Sequence, residues 1–271
     1  MSNLTDFDPV SPDSPPVPLW PGGDFVDIAI SASEQPDIVT SSDDYASRFQ
    51  GAVGAYMLWV QEQGLFALLG QHTMGLGSTV LDVGGGHGQL ALPLAKAGYT
   101  VTVAGSDASC FRRLRAQEQA ASIEFEECDL LRLPFKDRQF DFVTSVRLMS
   151  HVEDWPRLVS ELCRVSGRAV IIDYPIWSSL NALSLLAFPI KRKIEKNTRN
   201  YRTFFADEIR SAFAAHGFRQ TCDWRQFVLP MALHRAMPRS PVARRAERVF
   251  RKAGVTRVAG NPVLARFDRM G

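Results

Sequence analysis

The chain has 271 residues, of which 45% are hydrophobic and 22% charged, the proportions of an ordinary globular protein. This excludes a wholly disordered chain, a collagen-like fibre and a disulfide miniprotein, and no run approaches the roughly 20 apolar residues of a membrane-spanning helix. The formal net charge of +2 conceals an asymmetry: residues 1–44 hold nine acids and no Lys or Arg, whereas residues 188–271 hold 19 Lys and Arg against six acids.

Seven of the 16 prolines fall in residues 1–40, which read as an acidic, Pro-rich flexible tail with little to bury. Ser42-Asp43-Asp44 reads as a helix start. Tyr45, Phe49, Val53, Tyr56, Met57, Val60 and Leu65 then recur at three-to-four spacing, so one amphipathic helix is expected to about residue 69. Residues 79–83 form an apolar strand that runs into glycines. A helix face follows at Leu90, Ala91, Leu94 and Ala95 and stops at Gly98. Strands are predicted at 100–104, 123–126, 140–146 and 169–173, separated by helices at 111–119 and 156–165. Strands alternating with single helices predict an α/β fold: a Rossmann-like, doubly wound, mostly parallel sheet with helices on both faces. Beyond Pro175 the rhythm changes. A long helix over 176–196 contains Pro189, a helix follows at 206–215 and a strand at 218–229. A basic amphipathic helix is expected at 242–253, and a last strand at 262–267.

The first strand ends in Asp82-Val83-Gly84-Gly85-Gly86-His87-Gly88. Alternate glycines let a ligand reach the backbone where a Cβ would clash, and the helix that follows offers unpaired amides. A dinucleotide-binding loop needs G-x-G-x-x-G, but the position three beyond Gly86 is Gln89. The acid at the strand end would also repel a pyrophosphate, whereas Asp82 can hold an ammonium group. A cationic ligand is therefore expected.

In this order of residues the sequence resembles the class I S-adenosylmethionine-dependent methyltransferases. The match continues through Cys128-Asp129-Leu130, Leu133-Pro134-Phe135, Gln139-Phe140-Asp141-Phe142-Val143, Leu148-Met149-Ser150-His151-Val152 and Asp154-Trp155. The branch it resembles contains the ubiquinone and menaquinone C-methyltransferases and their small-molecule relatives. The resemblance covers residues 43–175 well and the remainder in outline. It implies a seven-stranded sheet with its last strand antiparallel, a methyltransferase domain over 41–271, and S-adenosyl-L-methionine as cofactor. Asp82, Gly84, Gly86 and Gly88 would receive the methionine part. Asp129 would receive the adenine amino group, with the Leu130 amide beside it. The acid that relatives carry at the end of the second strand is replaced by Gly105, which leaves Ser106 or Asp107 for the ribose. His151, after the fourth strand, is the candidate general base. Tyr45, Phe49, Tyr174 and Tyr201 are expected to line the substrate pocket.

The expected activity is methyl transfer to an oxygen or carbon of a small, hydrophobic molecule. An NAD(P)-dependent oxidoreductase and a catalytically silent binding protein on the same fold are the alternatives, the first opposed by Gln89. Residues 176–217 would form a substrate lid, and 236–260 a basic helical insertion before the last strand. Leu180, Leu183, Ala187, Ile190 and Ile194 make one apolar stripe ahead of Lys191-Arg192-Lys193. That pattern suits a lid over an apolar pocket, and also a helix lying on an anionic membrane surface. No RNA-binding signature or zinc finger accompanies the basic third, so no nucleic-acid partner is expected. The four cysteines form no CxxC pair, which predicts reduced thiols and no metal site. With no basic n-region and apolar h-region at the start, a cytoplasmic location is expected.

Overall fold

Residues 79–83, 140–145 and 166–174 are apolar on both sides of the strand, as strands covered on both faces must be. A computed structural model describes residues 35–70, 77–177, 201–236 and 242–271. It assembles β1 (Thr79–Val83), β2 (Thr100–Gly105), β3 (Glu124–Glu127), β4 (Phe140–Ser145), β5 (Ser166–Tyr174), β6 (Phe218–Phe227) and β7 (Asn261–Arg269). They form one seven-stranded sheet in the order β3-β2-β1-β4-β5-β7-β6. The first five strands run parallel, and β7 is antiparallel to both of its neighbours.

The helices, in chain order, are α1 (Pro36–Thr40), α2 (Asp43–Ser47), α3 (Gly51–Leu69), α4 (Ala91–Lys96), α5 (Arg112–Arg115), α6 (Trp155–Val165), α7 (Ala206–Ala214), α8 (Met231–Ala236), α9 (Val242–Lys252) and α10 (Val255–Ala259). Side chains alternate across the sheet. Val80, Phe142 and Ile171 pack with Leu65 and Leu68 of α3 and Leu94 of α4. Leu81, Val143 and Ile172 pack with Leu158 and Leu162 of α6 and Phe213 of α7. Each such fully buried side chain contributes about 1.5–3 kcal/mol from burial alone.

α3 lies close against the last two strands. Gly64 makes the approach possible, since a Cβ there would stand 2.5 Å from the Trp224 ring of β6. Arg266 of β7 donates to the Leu68 carbonyl at 2.7 Å, satisfying an end of the helix that has no intrahelical partner.

Three expectations change. Residues 36–40 are not tail but helix: Pro36 occupies the first turn, where its missing N–H costs nothing, and Asp37 is fully buried. The single helix over 43–69 divides into α2 and α3, because Gly51 takes a left-handed φ of +71° and Gln50 is extended. The helix expected over 111–119 is only α5 flanked by two 3-10 turns, since little beyond Leu114 can be buried on one face. Residues 1–34 of the expected tail and 178–200 of the expected lid lie outside the described residues. Among the described residues no helix is long and apolar enough to cross a membrane.

Candidate active site

The chain runs outward from β1 through β2 to β3, then returns to place β4 on the other side of β1. The crevice outside the carboxyl ends of β1 and β4 is thus the switch point, where open α/β sheets bind ligands. The glycine loop leaves β1 there, and residues 146–151 leave β4 opposite it.

Asp82 and Thr144 are register partners across β1 and β4, and Thr144 Oγ1 donates to Asp82 Oδ1 at 2.8 Å. The other carboxylate oxygen, Oδ2, is buried without a partner. It faces the loop: a Cβ on Gly85 would stand 1.9 Å from it. Burial pushes the Asp82 carboxyl up to about 7, against the pull of the Thr144 hydrogen bond and the Arg147 charge. Gly84 and Gly88 both adopt φ of +73°, a region that glycine enters without strain. His87 is held neutral, its pKa driven well down by burial and by Arg147.

At the end of β2, Ser106 is engaged from outside the sheet. Asp37 accepts from the Ser106 amide at 2.8 Å and from its hydroxyl, and Gln35 donates to the Ser106 carbonyl at 3.2 Å. Asp107 points to solvent and caps the following turn, accepting from Ser109 N. The acid at this strand end is therefore Asp37 of α1. Beyond β3, Asp129 is exposed and accepts from Leu131 N at 2.9 Å, while Leu130 is buried. This loop is clamped to α6. Glu161 accepts from Leu133 N at 2.9 Å, and Arg164 donates to the Leu133 carbonyl at 2.8 Å. Burial pushes the Glu161 carboxyl up, but Arg164 and the Leu133 amide hold it below its usual value.

A cavity of about 410 Å³ opens beside the loop, lined by residues that include Tyr45, Phe49, Arg147, His151, Asp173 and Tyr201. The His151 and Tyr201 rings meet edge to face at 5.7 Å. Of the pocket residues expected from the sequence, Tyr45, Phe49 and Tyr201 come together here, with the candidate base His151. Tyr174 does not. It follows Asp173 on β5, successive strand residues point to opposite faces, and its ring packs on Phe204 inside the core.

Arg147 was not anticipated from the sequence. Its φ of +63° is uncommon for a residue with a side chain. Its amide donates to Asp173 Oδ1 at 2.5 Å, and its guanidinium reaches His87 Nε2 at 2.8 Å. Asp173 is itself pushed up to about 6 by burial, although the Arg147 amide and charge oppose the shift. Gln61, Phe227 and Met231 of the cavity wall were likewise missed, since only the fold brings them near the loop. A basic residue two positions past the fourth strand was the one available signal.

Fold and loop together form a Rossmann-like α/β domain with a crevice at the glycine loop. Residues 80–167 match a family described as methyltransferase domain. The chain is 40% identical over 108 residues to a 2-phytyl-1,4-naphtoquinone methyltransferase of Nostoc punctiforme, covering 36% of this chain and 47% of that protein. It is 36% identical over 103 residues to a demethylmenaquinone methyltransferase of Deinococcus radiodurans, covering 35% and 43%. The chain thus spans about half the length of these curated relatives or slightly less. Its fold is similar to that of a magnesium protoporphyrin IX methyltransferase of Synechocystis, solved with bound SAH. The TM-score is 0.58 at 17% identity, covering 86% of this chain and 97% of the other.

Proposed function

We propose that the protein transfers the methyl group of S-adenosylmethionine to an oxygen or carbon of a small, largely apolar aromatic molecule of the quinone kind. Asp82 carries the reading: a buried carboxylate oxygen without a partner, beneath a glycine loop at the switch point of the sheet. The ammonium group of the cofactor complements that oxygen, and such a charged hydrogen bond contributes about 1.5–3 kcal/mol. The residues present therefore fit this cofactor, whereas a pyrophosphate at the same place would meet a carboxylate. The names of the relatives, a 2-phytyl-1,4-naphtoquinone methyltransferase and a demethylmenaquinone methyltransferase, suggest the substrate class.

When bound, the cofactor supplies an electrophilic methyl group on a cationic sulfur. The work left to the chain is to orient, desolvate and take up a proton. Asp82 and the backbone at Gly84, Gly86 and Gly88 would hold the methionine part. Ser106 with Asp37 would face the ribose in place of Asp107, and Asp129 with Leu130 would meet the adenine. Tyr45, Phe49, Met57 and Phe227 would exclude water from the acceptor. His151, braced by Tyr201, is the base for a proton released by the acceptor.

Calorimetric titration with adenosylhomocysteine and with NADH tests the cofactor. Transfer of a labelled methyl group to a series of reduced naphthoquinones then tests the acceptor. Binding of adenosylhomocysteine but not NADH, with label in the quinol, is expected. Tight NADH binding with no response to adenosylhomocysteine would overturn the reading.

A further inference from the structure

The cavity beside the glycine loop is cationic. Arg48, Arg147 and Arg235 line it against a single carboxylate, Asp173, and one oxygen of that carboxylate already takes the Arg147 amide. Arg147 is the most enclosed of the three. Its guanidinium lies over the Phe49 ring at 4.6 Å and near the Tyr45 ring at 5.7 Å. Its Nη2 is satisfied by the His87 imidazole, which is neutral. Its Nε and Nη1 are buried and have no hydrogen-bond partner, although the Asp173 and Asp82 carboxylates act on its charge. Buried charges are normally paired, and two orphaned donors on one guanidinium edge match the two oxygens of a planar anion.

A second orphan points the same way. Gln226, at the end of β6, is buried, lines the same cavity and leaves its Nε2 without an acceptor. Two elements far apart in sequence thus bring residues with unused donors to the wall of one cavity. Tyr45, Phe49, Met57, Phe227 and Pro262 give the wall an apolar part, beside the polar Gln61, Ser150, His151 and Tyr201.

We infer that the methyl acceptor is an aromatic anion, a ring bearing a carboxylate or an ionised hydroxyl, and that Arg147 is the residue that selects it by binding its charge. The inference rests on the proposed methyl transfer for the word acceptor, and on the orphaned donors alone for the anion. A negative charge brought in by the ligand would complete the guanidinium fork, while the ring lies against Phe49. A neutral ligand of the same shape would fill the apolar wall and leave Nε and Nη1 unpaired. The competing source of an anion is the carboxylate on the methionine part of the cofactor, which the loop contact through His87 brings within consideration.

The test uses the full chain and a matched pair of probes, 2-naphthoate and its neutral amide, titrated with and without saturating adenosylhomocysteine. The wild type is expected to bind the naphthoate about 10- to 100-fold more tightly than the amide, the range for a charged hydrogen bond. Arg147→Gln should erase that margin and leave the amide unchanged. Arg147→Lys should retain part of the margin, because it keeps the charge but not the fork. Equal binding of naphthoate and amide by the wild type overturns it. So does an Arg147→Gln variant that loses adenosylhomocysteine while keeping 5′-methylthioadenosine, which lacks the carboxylate, because Arg147 then serves the cofactor. If the wild type binds the naphthoate selectively but never adenosylhomocysteine, the methyl-transfer reading fails and the anion site stands.

Discussion

Replacing Asp82 by Asn separates what the residue does for the fold from what it does for the ligand. Lifting its carboxyl from 3.8 to about 7, at 1.36 kcal/mol per pKa unit, makes the ionised form cost the fold about 4 kcal/mol. The sign follows from linkage: a carboxyl raised on folding contributes stability that is present below pH 3.8 and is lost as pH rises through about 7. Asp173, raised to about 6, acts in the same direction. Asn keeps an oxygen for the Thr144 hydroxyl but turns an amide toward Gly85, and an unpaired buried donor costs about 1–3 kcal/mol. At pH 8 the variant should therefore gain about 1–3 kcal/mol. At roughly 2–4 °C per kcal/mol for a chain of this size, that is several degrees. Its melting temperature should also change less between pH 5.5 and 8 than that of the wild type. The ligand responds oppositely. Adenosylhomocysteine should bind the wild type more tightly as pH rises from 6 to 8, and Asp82→Asn should weaken it by about 10- to 150-fold. Calorimetry and thermal melts across pH read both effects. A variant that melts lower than wild type at pH 8, or binds adenosylhomocysteine equally well, would refute the reasoning.

The engagement of Ser106 by Asp37 predicts that Asp37→Ala, which strands two buried donors, destabilises the protein by about 2–4 kcal/mol and weakens adenosylhomocysteine. Asp107→Ala, which loses only an exposed cap, should cost about 0.5–1 kcal/mol and alter affinity less than threefold; equal effects in melts and titrations would contradict the assignment. A chain beginning at Gln35 should keep the melting temperature and ligand affinity of the whole, whereas one beginning at Asp43 should lose both. If the two shortened chains behave alike, α1 has no part in the site. Flotation with anionic vesicles tests the basic run after the apolar stripe of 176–196: salt-sensitive binding, lost when Lys191, Arg192 and Lys193 are changed to Glu, is expected of a surface helix, and no flotation leaves the lid.

Much of the sheet was legible because buried parallel strands are short apolar runs, and because the glycine loop needs its residues in a fixed local order. Val80-Leu81-Asp82-Val83 could hardly be anything else. The end of β2 was less legible. Asp107 sat at about the expected distance from Asp82, but the acid that meets Ser106 comes from a segment whose proline content argued for tail. A single buried hydrogen-bonded contact over 69 residues of separation outweighed that composition. Arg147 was silent for a different reason: a guanidinium in a sequence reads as surface until the fold shows what covers it. Tyr174 erred through parity, one residue along a strand being the difference between cavity and core.

The place of β7 in the sheet also bears on how the protein is made. It lies between β5 and β6, yet it is synthesised after both, about 90 residues beyond the end of β5. At roughly 5–20 residues per second on the ribosome, β5 waits for several seconds or more with its outer edge unpaired. That edge carries Val170, Ile171 and Ile172, all completely buried in the finished protein. An exposed apolar strand edge is a template for pairing with other chains. Newly made protein is therefore most prone to aggregate in that interval, and slowing translation between residues 175 and 261 should lower the soluble yield without altering the sequence or stability of the folded protein.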